Sequence, residues 1–451
     1  MEYKGDTISA ISTPIGIGGI SVLRISGENS IPVVEEIFKA SKKLSEIKSH
    51  KATFGRIYDN DQLIDEVLVT TFKAPRSYTG EDVVEISCHG STFVTNQILE
   101  MLLRKTRLAD PGEFTQRAFL NDRIGLTQAE AVGDILTAKT KISHLAALQQ
   151  FEGSLRNRIE KLLQKLTQYR TLLELEIDFA EQGLEQLDKQ QLTEQLVELL
   201  GNLKELANTA TEGLILKEGL KVSLVGAPNV GKSSIFNAFL ETERAIVTPH
   251  PGTTRDYLEE AISLQEYLIR FFDTAGIRET IDDVEKIGIE RSYEIIKKSH
   301  KVLFIIDGLE NKSEYEKLTN LIPEENIIKV LNKADLFSKE ELTKFKDCGY
   351  VLCTTTNSSG LQQIKNILLS EIEISQEELH SGILTNTRQI AAVKRAVGST
   401  EKAIESVQHD LGYEFTAFDL KEASTALEEI IGRVTTDDIL NQIFENFCIG
   451  K

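Results

Sequence analysis

The chain has 451 residues, of which 41% are hydrophobic and 27% are charged, and its formal net charge at pH 7 is −19. This length predicts two to four domains, and the composition excludes a disordered chain. The four cysteines lack zinc-type spacing, and the sequence has neither a membrane-spanning apolar run nor a signal-peptide pattern, so we expect a cytoplasmic protein with no membrane partner.

The first part of the chain is predicted to alternate short strands with turns. Strand-like runs occupy 20–25, 66–72 and 83–87, and a helix-like stretch covers 94–103. Apolar residues then recur at steps of three or four between Leu148 and Leu173, a pattern that predicts one long amphipathic helix. More helix follows to about residue 215.

An α/β pattern begins at Leu220 and helix returns after about residue 380. The predicted strands of this part are 220–225, 268–273, 302–307, 326–331 and 350–353. The order predicts an α+β N-terminal domain and an all-α domain interrupted by an inserted P-loop domain. The expected limits are 1–118 for the N-terminal domain, 119–215 and 379–451 for the helical domain, and 216–378 for the insertion.

Basic residues cluster in two stretches, although the net charge argues against generic nucleic-acid binding. The clusters are Arg104, Lys105, Arg107, Arg117 and Arg123, then Arg156, Arg158, Lys161, Lys165 and Arg170. A local basic face and an ordinary solvated surface both fit this pattern.

Residues 226–233, GAPNVGKS, match the P-loop pattern G-x-x-x-x-G-K-S between a predicted strand and a predicted helix. Backbone N–H groups of such a loop surround phosphates at the positive end of the helix. Lys232 is expected to reach the outer phosphates, and the Ser233 hydroxyl to bind Mg²⁺. The fit of both sequence and context predicts a nucleotide site.

The downstream motifs of a GTPase follow in the expected order. PGTTRD offers Thr253 and Thr254 as a second magnesium ligand, DTAG begins at Asp273 after a strand, and Asp335 of NKAD can read guanine N1 and N2. The predicted nucleotide-binding residues are Asn229, Val230, Gly231, Lys232, Ser233, Ser234, Thr248, Pro249, His250, Pro251, Gly252, Thr253, Thr254, Asp273, Thr274, Ala275, Gly276, Asn332, Lys333, Asp335, Thr354, Thr355 and Thr356.

Two residues suggest how hydrolysis is catalysed without a Ras-like glutamine. Ile277 follows DTAG where that glutamine would stand, so another group must orient the attacking water. Glu285, in the stretch ETIDDVEKIG, is the best candidate, although a solvated helix start also explains it. Asn229 lies where a bound monovalent cation could replace an arginine finger, a device worth roughly 10³–10⁵ in rate.

The chain ends in FCIGK, which admits three interpretations. As a prenylation box it is poor, because Gly450 is not aliphatic and Lys451 is not a usual last residue. A plain helix end explains Phe444 and Phe447 but not Cys448. A reactive thiol needs a nearby positive charge, which Lys451 could supply, so we expect the tail to fold toward a reaction site.

Across its whole length the sequence resembles the tRNA-modification GTPase MnmE (TrmE) family. The resemblance rests on residues 23–27 (LRISG), TGEDVVEISCHG at 79–90, PGEFTQRAFLND at 111–122, the GTPase motifs, VEKIGIERS and the terminal FCIGK. Other P-loop GTPases lack both the amino-terminal motifs and the tail.

The resemblance implies a homodimer whose first domain binds a one-carbon tetrahydrofolate (5-formyl or 5,10-methylene). With an FAD-dependent MnmG-type partner, in a heterotetramer, it would add a carboxymethylaminomethyl-type group to C5 of the wobble uridine of certain tRNAs. The implied ligands are Arg24, Glu85, Arg123 and Lys451 for folate, Ser233 and Thr254 for Mg²⁺, and Asn229, Thr248, His250 and Thr253 for K⁺. Position 123 is a departure, because lysine is expected there.

The candidate catalytic residues are Glu285, which matches the catalytic glutamate of the family, Lys232 of the P-loop and Cys448 of the tail. The alternative is a ribosome-assembly or signalling GTPase that acts as a switch without modification chemistry. The role of Cys448, the substrate tRNAs, the amine and the surface that contacts tRNA stay open.

Overall fold

The computed structural model describes residues 5–179, 188–242, 244–245, 259–273, 293–308, 312–354, 358–370, 372, 375–445 and 447–451. Two compact units are distinguished: Met1–Gly133 with Ile159–Thr171 and Leu420–Lys451, and Asp134–Arg158 with Leu172–Asp419. No helix in the described ranges is apolar over a length that would cross a bilayer.

The helices of the described ranges vary from short turns to one of 26 residues. They include α1 Ser30–Ile37, α2 Thr92–Leu103, α3 Glu113–Leu120, α4 Leu126–Thr137, α5 Lys141–Phe151, α6 Ser154–Phe179, α7 Lys189–Asn208, α8 Ala210–Glu218, α9 Lys232–Thr242, α10 Lys312–Thr319, α11 Lys339–Asp347, α12 Ser358–Ser370, α13 Gln376–Ser381, α14 Thr387–Gln408, α15 Tyr413–Ile431 and α16 Asp437–Phe444.

The first unit is built on a seven-stranded sheet of order β3-β4-β5-β6-β2-β1-β7. Its strands are β1 Ile8–Ile11, β2 Ile20–Ser26, β3 Phe38–Lys39, β4 Lys51–Asp59, β5 Gln62–Phe72, β6 Val83–His89 and β7 Arg107–Leu108. All neighbours are antiparallel except β1 and β7. Alternate residues of β2 and β6, such as Leu23 and Ile86, are buried in one core with Ile98 of α2.

The second unit contains a seven-stranded sheet of order β14-β13-β12-β8-β11-β10-β9. Its strands are β8 Leu220–Val225, β9 Arg244–Ala245, β10 Glu259–Leu264, β11 Tyr267–Asp273, β12 Lys301–Ile306, β13 Ile327–Leu331 and β14 Val351–Leu352. The five strands from β14 to β11 are parallel, and they carry near-continuous apolar runs because both faces are buried.

The same unit holds part of the helical structure. Helix α7 buries a leucine row at steps of three and four, namely Leu192, Leu196, Leu199, Leu203 and Leu206, and it packs along α14. The multidomain fold class predicted from the sequence is confirmed.

One predicted element differs from the structure. The single helix expected through residues 148–173 is wrong: α5 ends at Phe151 and α6 begins at Ser154, with Gly153 at φ +94° between them. Apolar periodicity continues across the break and therefore could not detect it. The domain limits 118, 215 and 378, which lie within α3, α8 and α13, stay predictions.

Candidate functional site

The P-loop connects the end of β8 to the start of α9. Strand β8 is buried between its parallel neighbours β11 and β12, so its carboxyl end opens at the edge where parallel α/β sheets bind ligands. Gly231 has φ +95°, and a Cβ there would collide with the Asn332 side-chain nitrogen. Glycine is therefore required at this turn by both backbone conformation and close approach.

Lys232 and the two serines start α9. The Lys232 ammonium donates hydrogen bonds to the carbonyls of Gly226 at 2.7 Å and Ala227 at 2.9 Å, and the residue is buried. Ser233 and Ser234 are exposed in the first helical turn, where N–H groups and the helix dipole favour an anion. This arrangement can bind phosphate oxygens.

Asn332 and Lys333, which follow β13, tie the NKAD segment to the P-loop. The amide of Asn332 is 2% exposed and donates to the Val230 carbonyl at 2.8 Å. The Lys333 ammonium donates to the Asn229 carbonyl at 3.0 Å and forms an ion pair with Asp307 at 2.6 Å. The two bonds to the P-loop join segments about a hundred residues apart, so sequence spacing gave no signal for them.

The proposed base-reading residues lie on one groove. Asp335 is exposed on a 3-10 turn, and the Ala334 N–H donates to the Cys353 carbonyl at 3.1 Å, which holds that turn beside Thr354. Asp335 and Thr354 both line a groove of about 840 Å³. The structure thus brings these two predicted residues together.

Asp273 is the last residue of β11 and stands in register with Leu224 of β8. Its carboxylate therefore belongs to the same sheet edge as the P-loop. The remaining predicted residues lie outside the described part of the chain: Thr248, Pro249, His250, Pro251, Gly252, Thr253, Thr254, Thr274, Ala275, Gly276, Ile277, Glu285, Thr355 and Thr356. Within the part that is described, no group of three or more His, Cys, Asp or Glu residues could hold a metal.

A second polar site lies in the first unit around Arg24. Arg24 and Glu85 are direct partners on β2 and β6, and Nε and Nη2 of Arg24 both donate to Glu85 Oε1, at 2.9 and 2.8 Å. The guanidinium also lies 5.3 Å from the ring centre of Tyr78 and 5.6 Å from that of Phe114. Burial raises the pKa of Tyr78, so the phenol stays neutral beside the guanidinium.

The C-terminal tail contacts this site. The Gly450 carbonyl accepts hydrogen bonds from Ser12 Oγ at 3.1 Å and, at 3.5 Å, from Arg24 Nη1. Cys448 is exposed and Lys451 is half-buried, so the structure brings the segment carrying both residues to Arg24.

Two further residues of the first unit, Arg123 and Cys88, have other surroundings than Arg24 and the tail. In the described part of the chain, Arg123 donates to the Ser77 carbonyl at 3.2 Å and forms no hydrogen bond or ion pair with Arg24 or Glu85. Cys88 is buried, and burial raises its pKa to about 11, which makes this thiol unreactive at neutral pH.

A buried charge network that the sequence did not reveal lies in the same unit as the Arg24 site. Arg117, whose side chain is 4% exposed, forms ion pairs with Asp6 at 2.8 Å, Glu113 at 2.9 Å and Glu81 at 3.2 Å. A hydrogen bond from Arg107 lowers the pKa of Asp6, and burial raises the pKa of Glu81. Burial acts to raise the pKa of Glu113, but its hydrogen bonds, first that from Arg107, lower it overall.

This network and two further pairs neutralise most of the first basic cluster. Arg104 pairs with Asp59 at 2.8 Å, and Lys105 pairs with Glu36 at 2.6 Å. Residues 104–117 therefore form an ordinary surface of paired charges rather than a basic face.

Two family models match the chain. The model "GTP-binding protein TrmE N-terminus" covers residues 7–123, and the model "MnmE helical domain" covers residues 126–448. Among solved structures, the match to the G domain of the T. maritima FeoB iron transporter covers 34% of this chain and 99% of that one, at 24% identity with a TM-score of 0.26.

Curated relatives match over essentially their full length, and each is named tRNA modification GTPase MnmE. The relative in Flavobacterium johnsoniae is 41% identical over 462 residues, covering 99% of both chains. The relative in Clostridioides difficile is 41% identical over 458 residues, covering 100% of both, and that in Aquifex aeolicus is 40% identical over 450 residues, covering 99% of this chain and 100% of its own. With both family models and these relatives in agreement, the chain belongs to the MnmE (TrmE) family of tRNA modification GTPases.

Proposed function

We propose that this GTPase, in a heterotetramer with an FAD-dependent MnmG-type partner, adds a carboxymethylaminomethyl-type group to C5 of the wobble uridine of tRNA, using a one-carbon tetrahydrofolate. The observation that carries the proposal is the contact between the Gly450 carbonyl and Arg24. It joins the terminal cysteine segment to the pair Arg24–Glu85 although the two are more than 360 residues apart in sequence.

The Arg24 site has the donor set that a folate needs. A guanidinium beside two aromatic rings can bind a carboxylate or stack on a flat heterocycle, and Glu85 can accept hydrogen bonds from ring nitrogens. When bound, the folate supplies the one-carbon unit. Lys451 and Arg123 would bind the folate with Arg24 and Glu85, and the Arg123 guanidinium would do so while its Nε donates to the Ser77 carbonyl.

Cys448 would act beside this site. Its thiol is exposed two residues before Gly450, and Lys451 is the nearest positive charge in sequence. The thiolate is the form of a cysteine that reacts, and it must be accessible to its substrate. The thiol of Cys88 in the same unit is buried with a raised pKa, so of these two thiols the terminal one suits nucleophile or proton-donor chemistry.

For GTP hydrolysis we propose that the P-loop binds the phosphates, Lys232 neutralises them and Asp335 selects guanine. Ser233 and Thr254 would bind Mg²⁺, with Asp273 at the same sheet edge. Asn229, Thr248, His250 and Thr253 would bind K⁺. The Asn229 backbone has φ +66° and its carbonyl is bonded to Lys333, so the side-chain oxygen is the group to offer a cation.

Glu285 would orient the attacking water, and the full nucleotide site would comprise all the loop residues predicted from the sequence. We further propose cytoplasmic localisation and the domain limits 1–118, 119–215, 216–378 and 379–451.

A homodimer is supported by an apolar sheet face in the first domain. Phe54 and Leu68 are direct partners on β4 and β5, with exposed fractions of 61% and 47%, and Ile20 of β2 is 68% exposed on the same face. Exposed apolar patches of this kind mark interaction surfaces. Membership of a tRNA modification family argues against the alternative of a switch without modification chemistry.

The test is Cys448→Ser and, separately, deletion of residues 448–451, each expressed in cells lacking the native protein. Both variants should hydrolyse GTP near the wild-type rate while the modified wobble uridine disappears from digested tRNA analysed by mass spectrometry. Cys348→Ser is the matched control, because Cys348 is also a free, exposed cysteine but lies at the end of α11. Modified uridine retained in both tail variants would contradict the proposal.

A further inference from the structure

The first domain has a further group of basic residues, at 39–56, apart from the basic cluster of residues 104–123. Residues 39–56 contain six lysine and arginine residues and one glutamate, a formal charge of +5 in a chain of −19. They form a 3-10 turn, loops and strand structure around the edge of the sheet where the short β3 meets β4.

Five of these cations line one concavity, which we name the basic edge groove. It has a volume of about 820 Å³, and its basic residues are Lys39, Lys42, Lys48, Lys51 and Arg56. Glu46 is the acidic residue in its lining. All five basic side chains are on exposed residues, so the groove presents positive charge to the solvent.

The lysines of this groove are not neutralised. The side chains of Lys42, Lys48 and Lys51 form no ion pair or hydrogen bond with any residue that the structure describes, in contrast to the paired Arg104 and Lys105. Lys39 lies 4.5 Å from the ring centre of Tyr58 and has no carboxylate partner there, while Arg56 is paired with Glu66 at 2.8 Å. Three unpaired ammonium groups on one concave surface favour a polyanionic ligand.

We propose that the basic edge groove binds the sugar–phosphate backbone of the substrate tRNA. The inference rests on the activity of the family on tRNA and does not depend on the folate chemistry. Phosphate binding through lysine releases counterions and supplies affinity without base specificity, which is the contribution that unpaired ammonium groups can make. The net charge of −19 disfavours RNA binding by the chain as a whole, so local groups of unpaired lysines are the places where such contact is favoured.

The test is the triple variant Lys42→Gln, Lys48→Gln and Lys51→Gln in the full chain. Fluorescence anisotropy with a labelled unmodified tRNA transcript would give Kd at several KCl concentrations. The variant should bind at least about tenfold more weakly at low salt, and the slope of log Kd against log salt should fall by about 3, one unit for each lost phosphate contact.

The matched control is Lys317→Gln, Lys339→Gln and Lys344→Gln, which removes the same charge from exposed residues of α10 and α11. It should leave the salt slope unchanged, and both triple variants should keep wild-type GTP hydrolysis. An unchanged slope in the groove variant, or an equal fall in the control, would overturn the proposal.

Binding to vesicles that contain phosphatidylglycerol tests whether the groove binds an anionic lipid surface instead of RNA. If the wild type binds them through these lysines while tRNA affinity is insensitive to the triple change, the groove binds a lipid surface and the inference is wrong. Because GTP hydrolysis and the Cys448 test are read separately, failure here is distinguishable from failure of the proposed function.

Discussion

Substituting Gly231 by alanine should weaken GTP binding through one side-chain contact. Gly231 has φ +95°, and a Cβ at this position would collide with Asn332 Nδ2, the atom that donates to the Val230 carbonyl at 2.8 Å. The alanine must therefore either distort the loop or displace the buried asparagine. Both outcomes disturb the connection between the P-loop and the NKAD segment.

The expected magnitude follows from two costs. A non-glycine residue in the left-handed region costs about 1–2 kcal/mol, and loss of a buried hydrogen bond costs about 1–3 kcal/mol. Because GTP must restore the binding-competent loop, roughly 2–5 kcal/mol would appear in the affinity, which is about 30- to 5,000-fold in Kd. Titration of the full chain with a fluorescent GTP analogue would measure it.

Two controls isolate the contact. Gly153, between α5 and α6, has φ +94°, and no heavy atom lies within 4 Å of the position that a Cβ would occupy. Gly153→Ala therefore carries the strain without the collision and should change Kd little. In an Asn332→Ala background, Gly231→Ala should cost much less than in the wild type, since the clashing group is gone. Near wild-type affinity for Gly231→Ala alone would refute the reasoning.

Four further outcomes are expected. Asp335→Asn should weaken guanine binding and admit xanthine nucleotides in competition assays, and an unchanged guanine preference would remove Asp335 from base reading. Hydrolysis should be much faster in KCl than in NaCl at matched ionic strength, and equal rates would exclude the cation device. Glu285→Ala should bind GTP nearly normally and lose about 10²–10⁴ in turnover, and retained turnover would contradict its role. Arg117→Met should destabilise the first domain by about 3–5 kcal/mol at pH 7. Asp6 and Glu113 have lowered pKa values, so their stabilisation is present above the ordinary carboxyl pKa and is lost as pH falls. The deficit of Arg117→Met should thus shrink in urea unfolding at about pH 4, and a constant deficit would contradict the ion-pair origin.

The sequence predicted the parallel strands of the second unit well, since strands buried on both faces read as apolar runs such as 302–306. It did not predict β10, whose residues EEAISL mix charged and apolar side chains at the antiparallel side of the sheet. It also missed the gap between α5 and α6, because the apolar period is the same on both sides of Gly153. Local patterns thus identify elements but not their interruptions.

Motif spacing located the P-loop and NKAD but not the bonds between them. Asn332 was predicted to bind nucleotide, whereas in the structure its amide also fixes the Val230 carbonyl, and Lys333 bridges to Asp307. Such bonds depend on which strands are neighbours, and that is a property of the sheet order β13-β12-β8. A residue can match a motif for one contact and be required for another.

The position of the C-terminal tail is determined by packing rather than by its own sequence preference. Phe447 lies over Gly133, where a Cβ would come within 3.1 Å of the phenylalanine ring, and beside Gly112, where a Cβ would come within 3.0 Å of the phenylalanine Cβ. Beyond it, Gly450 has φ +93° and lies so close to the Ile11 carbonyl that a side chain there would collide. The phenylalanine and the glycine therefore fix both ends of the segment 447–450, and Cys448 lies between them with its side chain exposed. The packing of Phe447 and the close approach of Gly450 to β1 therefore bring the backbone of this segment to Arg24, because the Gly450 carbonyl that accepts from the guanidinium lies at its end.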